Sequence, residues 1–306
     1  MSKAKLKLLL LELRVPFFTA SIAPVVLGAA IAWARGNAFH WGYFFLTLVG
    51  MMALHAGANV SNDYFDHLSG NDEVNVEFVS PFTGGSRMIQ QGLLTPREVF
   101  WEFVAAYALA AAIGLVLAYF RGPMVLVLGA IGILSGLLYT APLLRIVSTG
   151  LGEVAIGLNF GVLSTLGAYY VQTGKLSWEP VIASLPVALL IAAVLYINEF
   201  QDMKADAAVG KNHLVVRLGR RWASFGYLGI MLATYLSLVL GVGLGPVSAF
   251  GLIALATLPL AWKAVRTALT HYDDPIKLVP ANANTILVHA LTGLLMTVGY
   301  VLARVF

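Results

Sequence analysis

The chain has 306 residues, 59% of them hydrophobic and only 11% charged, with a formal net charge of +4 and a mean hydropathy of +0.83. A soluble domain carries roughly 45–50% apolar and 25% charged residues, so a polytopic membrane protein is expected instead. There is no cysteine, which excludes disulfides, thiolate nucleophiles and cysteine-based metal sites.

The opening MSKAKLKLLLLELRVPFF is basic, then apolar, and has no small-residue cleavage site, so it reads as an uncleaved amphipathic start to the first span. Apolar runs between polar or Gly/Pro breaks predict helices over 14–34, 40–66, 97–119, 123–140, 151–172, 179–204, 221–243, 246–268 and 282–304. Two long polar connections, 67–96 and 205–220, stand out among short turns. The second and sixth helices both end in Asn/Asp-rich segments followed by these connections. The expected fold is therefore an all-α bundle of about nine transmembrane helices, two four-helix halves plus one, forming a single domain over 1–306 with substrate between the halves.

With the N-terminus inside, Arg35, Arg121, Lys175 and Arg304 fall on the outer side and all other Lys and Arg on the inner side. The positive-inside rule then places the N-terminus in the cytoplasm and, after nine crossings, the C-terminus outside. Among the acids only Glu179 falls outside. Topology does not explain that, because Asp and Glu contribute little to it.

The stretch HAGANVSNDYFDHLSGND, 55–72, sets Asn59, Asn62, Asp63 and Asp66 at i, i+3, i+4 and i+7, a single helix face. YINEFQDMKAD, 196–206, sets Asn198, Asp202 and Asp206 at i, i+4 and i+8. A carboxylate at the centre of a membrane helix costs about 2.5–3.5 kcal/mol on insertion scales and marks a functional site. Acids at helix C-termini also oppose the helix dipole, which argues against simple solvation of the ends. Carboxylate and amide oxygens suit Mg²⁺, which two facing stripes would clamp. A proton or cation path is a further reading. Nearby cations describe an anion site on the inner face: Arg87 after Gly84-Gly85-Ser86, Lys211, Arg217, and Arg145 with Tyr139 in YTAPLLR.

Asn62-Asp63-Tyr64-Phe65-Asp66 and Asp202-Met203-Lys204-Ala205-Asp206, the latter followed by VGKNHLVVRLG, resemble the two motifs of the UbiA superfamily of intramembrane prenyltransferases. HAGANVSNDYFD, GGSRMIQQG and YTAPLLR are most similar to its menaquinone branch. Glu199 and Gln201 depart from that branch's Asn and Arg. The resemblance implies nine helices and Mg²⁺ held by Asn62, Asp66, Asp202 and Asp206, with Asp63 a ligand or neighbour. It implies Arg87, Tyr139, Arg145 and Lys211 on the diphosphate, Asn59 supporting them, and Asn198 and Glu153 orienting or deprotonating the acceptor; His55 is expected to pack. The implied reaction ionises a polyprenyl diphosphate and transfers the prenyl group to an aromatic acceptor, 1,4-dihydroxy-2-naphthoate first, with 4-hydroxybenzoate, haem or geranylgeranylglyceryl phosphate as alternatives. The partners are those substrates and the lipid bilayer of the cell membrane, with no nucleic acid, and the active site faces the cytoplasm.

Overall fold

Helix boundaries follow the polar punctuation of the chain in the computed structural model, which describes residues 3–306. A short helix, α1 (Lys3–Glu12), precedes a sharp turn at Arg14 (φ 55), and a 3₁₀ turn with Pro16 opens α2 (Val15–Ala34). Next come α3 (Trp41–Ser69) and the single turn α4 (Asn71–Val74), joined through Gly70. Helix α5 (Pro96–Arg121) starts with Thr95 and Glu98 bonding reciprocally to each other's backbone N–H and with Pro96 in its first turn, two devices that satisfy or remove orphan donors. The remaining helices are α6 (Met124–Thr140), α7 (Gly152–Thr173), α8 (Trp178–Ala208), α9 (Leu214–Gly243), α10 (Ala249–His271) and α11 (Val279–Val305). Among the described residues, eight helices are long and apolar enough to span a membrane, and α6 is a shorter apolar one of 17 residues. These are the nine expected segments.

The polar connections are shorter than the sequence predicts. Helices α3 and α8 continue to Ser69 and Ala208, so both Asn/Asp stripes stay helical to their last residue. Helix α9 begins at Leu214 because the His213 ring accepts from Val216 N at 3.4 Å and caps it; the chain then breaks at Gly219 (φ 72, ψ 151). The segment 205–220 is therefore helical at both ends, with only five residues, 209–213, between helices.

Helix α8 is the axis of the bundle and packs against α2, α4, α7, α9 and α11. Tyr196 and Phe200 of α8 pack with Tyr227 of α9 in a fully buried cluster. On its other side α7 comes into backbone contact: a Cβ at Gly161, in a π-helical stretch, would lie 2.3 Å from Ala188 Cβ. Small residues at such crossings allow the close packing that holds membrane helices together where lipid removes the hydrophobic drive. Helix α2 packs against α7 and α11 as well as α3 and so lies between the halves. The lipid-side faces are apolar, and exposed Trp41, Tyr119, Phe120 and Trp178 mark one end of the bundle as an interfacial belt. At that end Glu179 is held by Arg35 through two bonds of 2.7 and 2.8 Å.

Candidate active site

At the opposite end, the last turns of α3 and α8 face one another. Asn62 donates to Asp66 Oδ2 (3.2 Å) and to Thr140 Oγ1 at the end of α6 (2.8 Å). Lys211, in the connection after α8, donates to Asp66 Oδ2 at 2.8 Å and lies 3.6 Å from Asp206 Oδ1. The chain reversal after α3 supplies two amides: Asn71 Nδ2 donates to Asp206 Oδ1 (2.9 Å) and Asn75 Nδ2 to Asp202 Oδ1 (2.7 Å). Gly84 N reaches Asp202 Oδ2 at 3.4 Å, and His213 Nε2 meets Asp206 Oδ2 at 2.9 Å. All of these residues except Thr140 line a polar cavity of about 120 Å³.

The donor set fits Mg²⁺. Asp66, Asp72, Asp202 and Asp206 share this cavity, and Asn71 Oδ1 and Asn75 Oδ1 are buried there without a hydrogen-bond partner among the described residues. Burial and the charges of Asp66 and Asp63 push the Asp72 carboxyl up to about 8, a sign of uncompensated negative charge. Burial opposes the charge of Lys211, yet Asp206 and Asp66 outweigh it and hold its pKa above the ordinary lysine range. Glu199 is a fifth carboxylate on this cavity, and the two cations lining it, Lys211 and Arg14, leave room for divalent cations on hard oxygen ligands.

The polar cavity adjoins an apolar chamber of about 570 Å³ reaching between α3, α5, α6, α7 and α8. Arg14, Asn62, Tyr139, Leu195 and Asn198 line both, so they form the junction. Asn59 lines the chamber and donates to Leu13 O (3.4 Å). His55 lies on the chamber wall, bonded to Ser21 Oγ at 2.7 Å and packed on Phe18 and Phe160, in keeping with a packing role.

Five residues sit differently from their expected roles. Asp63 does not line the cavity; its Oδ2 accepts from Ser86 N (2.8 Å), because one residue past Asn62 is a turn of 100° away from the stripe. It fixes the loop, which passes so close that a Cβ at Gly85 would lie 2.7 Å from Asp63 Oδ1. Arg87 bonds the Asp72 carbonyl (2.9 Å) and stacks on Phe78, which makes it a buttress behind the cavity. Among the described residues Arg145 reaches only Val209 O (3.5 Å). Glu153 accepts from Leu214 N (2.8 Å) at the start of α9 and lines neither cavity. Arg217 is occupied by Asn212 O and Ser148 O. Sequence reasoning missed Asn71, Asn75, Arg14 and His213; the first lies within the quoted Asn/Asp-rich stretch, and His213 in VGKNHLVVRLG.

An acid-rich cavity opening onto an apolar chamber inside a membrane bundle defines an integral membrane protein built to hold an amphiphile by its anionic head. The chain belongs to the UbiA prenyltransferase family, which it matches over residues 21–301. It is 35% identical to the 1,4-dihydroxy-2-naphthoate octaprenyltransferase of Mycobacterium tuberculosis, over 80% of each chain. It is 29% identical to the 2-carboxy-1,4-naphthoquinone phytyltransferase of Synechocystis, over 96% of this chain and 93% of the relative. Its fold matches that of a UbiA homologue from Archaeoglobus fulgidus solved bound to GPP and Mg²⁺, with a TM-score of 0.62 at 14% identity, covering 94% of this chain and 99% of the other.

Proposed function

We propose that the protein transfers a polyprenyl group from its diphosphate to 1,4-dihydroxy-2-naphthoate, with Mg²⁺, as a single domain over 1–306. The observation that carries this reading is the junction: one polar cavity for a diphosphate opens, at Asn62, Tyr139 and Asn198, onto one apolar chamber for a prenyl chain. The naphthoate acceptor is supported by the two relatives, whose names differ in the prenyl group but share the naphthalene nucleus.

Asn62, Asp66, Asp202 and Asp206 would hold the cation, which supplies the positive charge that makes diphosphate a leaving group. Lys211 adds a fixed positive charge from the protein side, and Asn71 and Asn75 keep the two α8 aspartates aimed inward. With the prenyl tail in the chamber, C1 lies at the junction. The C1–O bond breaks, its electron pair stays on the diphosphate oxygen, and a ring carbon of the acceptor forms the new bond to C1 and then loses its proton. The apolar walls exclude water, which would otherwise capture the allylic cation.

Purified protein given radiolabelled geranylgeranyl diphosphate and a panel of acceptors should prenylate the naphthoate and need Mg²⁺. Asp66→Ala and Asp202→Ala should abolish transfer while expression is kept; undiminished turnover overturns the reading. The site and N-terminus are proposed to face the cytoplasm, supported by the excess of Lys and Arg at that end. The lack of native cysteine makes this testable: a thiol at Lys263 should be shielded from impermeant reagent outside the cell, and one at Lys175 labelled.

A further inference from the structure

Arg14 stands in the turn between α1 and α2 with its backbone in the left-handed region (φ 55, ψ 48), which a residue other than glycine adopts rarely and at a cost. Asn59 of α3 braces this turn by donating to Leu13 O at 3.4 Å. The guanidinium lines both the polar cavity and the apolar chamber, and it lies over the Phe17 ring, 4.7 Å from the centroid. Among the described residues it donates no hydrogen bond and closes no ion pair. Glu12, whose carboxylate its charge reaches, gives Oε2 to the Ser86 hydroxyl instead.

Arg14 is also the one residue with a fixed charge on the chamber wall. The prenyl tail offers it nothing to bind. The diphosphate has other counter-charges, Lys211 and the cation that the aspartates would hold. The reactant still without a partner is the acceptor, whose ring must reach C1 at the junction. An acceptor that carries a carboxylate is repelled there, because five carboxylates line the adjoining cavity and the diphosphate adds its own charge. A guanidinium on the chamber side offsets that repulsion and takes both oxygens of a carboxylate at once. Phe17, Tyr139 and Phe160 line the same chamber and offer apolar faces to an aromatic ring.

We infer that Arg14 binds the carboxylate of the acceptor and selects aromatic acceptors that carry one. The inference rests on the naphthoate-prenylation reading and deepens it, by assigning a residue to the half of the reaction that the aspartates do not serve. Arg14 is a specificity-determining residue in this role. Its strained turn aims the guanidinium, and Phe17 holds the flat face of the fork while its edge stays open to the ligand.

Purified full-length protein with Mg²⁺ and geranylgeranyl diphosphate is assayed on 1,4-dihydroxy-2-naphthoate and on 1,4-dihydroxynaphthalene, the same ring without the carboxylate. The wild type should favour the carboxylated ring by about tenfold to a hundredfold in kcat/KM, the size of a hydrogen-bonded contact between charged groups. Arg14→Asn suits a left-handed turn and should bring that ratio down to about one, chiefly through the acceptor KM. Arg14→Lys keeps the charge without the fork and should fall between the two. The ratio is taken on one preparation, so a partial loss of fold lowers both rates together and leaves it unmoved. An equal ratio in wild type and variants overturns the inference. So does a rise in the KM of the prenyl diphosphate as large as that of the naphthoate, because Arg14 then serves the diphosphate. A wild type that prenylates neither ring overturns the naphthoate reading itself, and this inference with it.

Discussion

Lys211 Nζ lies 2.8 Å from Asp66 Oδ2 and 3.6 Å from Asp206 Oδ1, so one ammonium ties the end of α3 to the end of α8. Removing it leaves two buried carboxylates without their cation, a change that costs about 3–5 kcal/mol in buried pairs. Lys211→Ala should therefore melt well below the wild type in EDTA, as read by fluorescence-detected size exclusion. Mg²⁺ should recover much of the loss, since it meets the same carboxylates. Equal melting of the two proteins in EDTA would contradict the pairing. The raised pKa of Lys211 has a further consequence: its stabilisation is complete below the unfolded lysine value of about 10.4 and is lost only as pH rises through the higher folded value. No alkaline limb between pH 7 and 9 should come from this residue.

Asp63 and Asp66 are separated by less than one helical turn but should respond differently to the same substitution. Asp63 accepts a backbone N–H from Ser86, a task that an amide oxygen performs, so Asp63→Asn should keep most of the prenyl-transfer rate. Asp66 lines the polar cavity, and Asp66→Asn should lose about 10²-fold or more in kcat, as loss of an electrostatic element of a site does. Equal losses would return Asp63 to the metal. Gly85→Ala should resemble a loop defect, lowering stability and Mg²⁺ affinity together, because its φ is +68° and its Cβ would press on Asp63.

The nine spans were legible because apolar runs of membrane length are written contiguously, and Asn62, Asp66, Asp202 and Asp206 because i, i+4 spacing keeps them on one face. Asp63 breaks from that face by a single residue, a distinction the full helical period makes and a stripe drawn through four residues does not. Asn71 and Asn75 were not legible, since their direction depends on the reversal at Gly70, where the helical period ends. Arg87 and Arg145 have the charge of phosphate ligands, but both lie in left-handed turns (φ 62 and 44) whose exit directions no periodicity encodes. Glu199 stood out only as a departure from the family pattern, and its pairing with Glu153 and His213 joins three separate segments.

The apolar chamber sets a length limit on the donor that substitution can move. Gly129 lies on the chamber wall, and a Cβ there would meet nothing within 4 Å, so Gly129→Leu adds bulk to the chamber without straining the α6 backbone. The variant should favour short donors: kcat/KM for geranylgeranyl diphosphate should fall by about tenfold relative to geranyl diphosphate, in line with about 1–3 kcal/mol per misfit methylene-sized group. The Mg²⁺ dependence should be unchanged, because the polar cavity is untouched. A parallel fall for both donors would place the chain elsewhere.

Glu12 closes the loop from its other side, accepting the Ser86 hydroxyl at the end of α1. Burial, followed by the charge of Asp63, raises its carboxyl from 4.5 to about 8, although the Ser86 hydroxyl works in the opposite direction. Between those values the folded protein keeps a proton that the unfolded chain has released, so stability must fall as pH rises from about 4.5 to 8. At about 1.4 kcal/mol per unit, the fall has an upper limit of about 5 kcal/mol. Melting curves of the wild type in EDTA should move to lower temperature across that range. Glu12→Gln, which keeps an oxygen for Ser86 and cannot ionise, should flatten the slope and melt higher than the wild type at pH 8. If the variant instead follows the wild-type slope, the pH dependence belongs to another carboxyl, and Asp72 with its similarly raised pKa is the next group to neutralise.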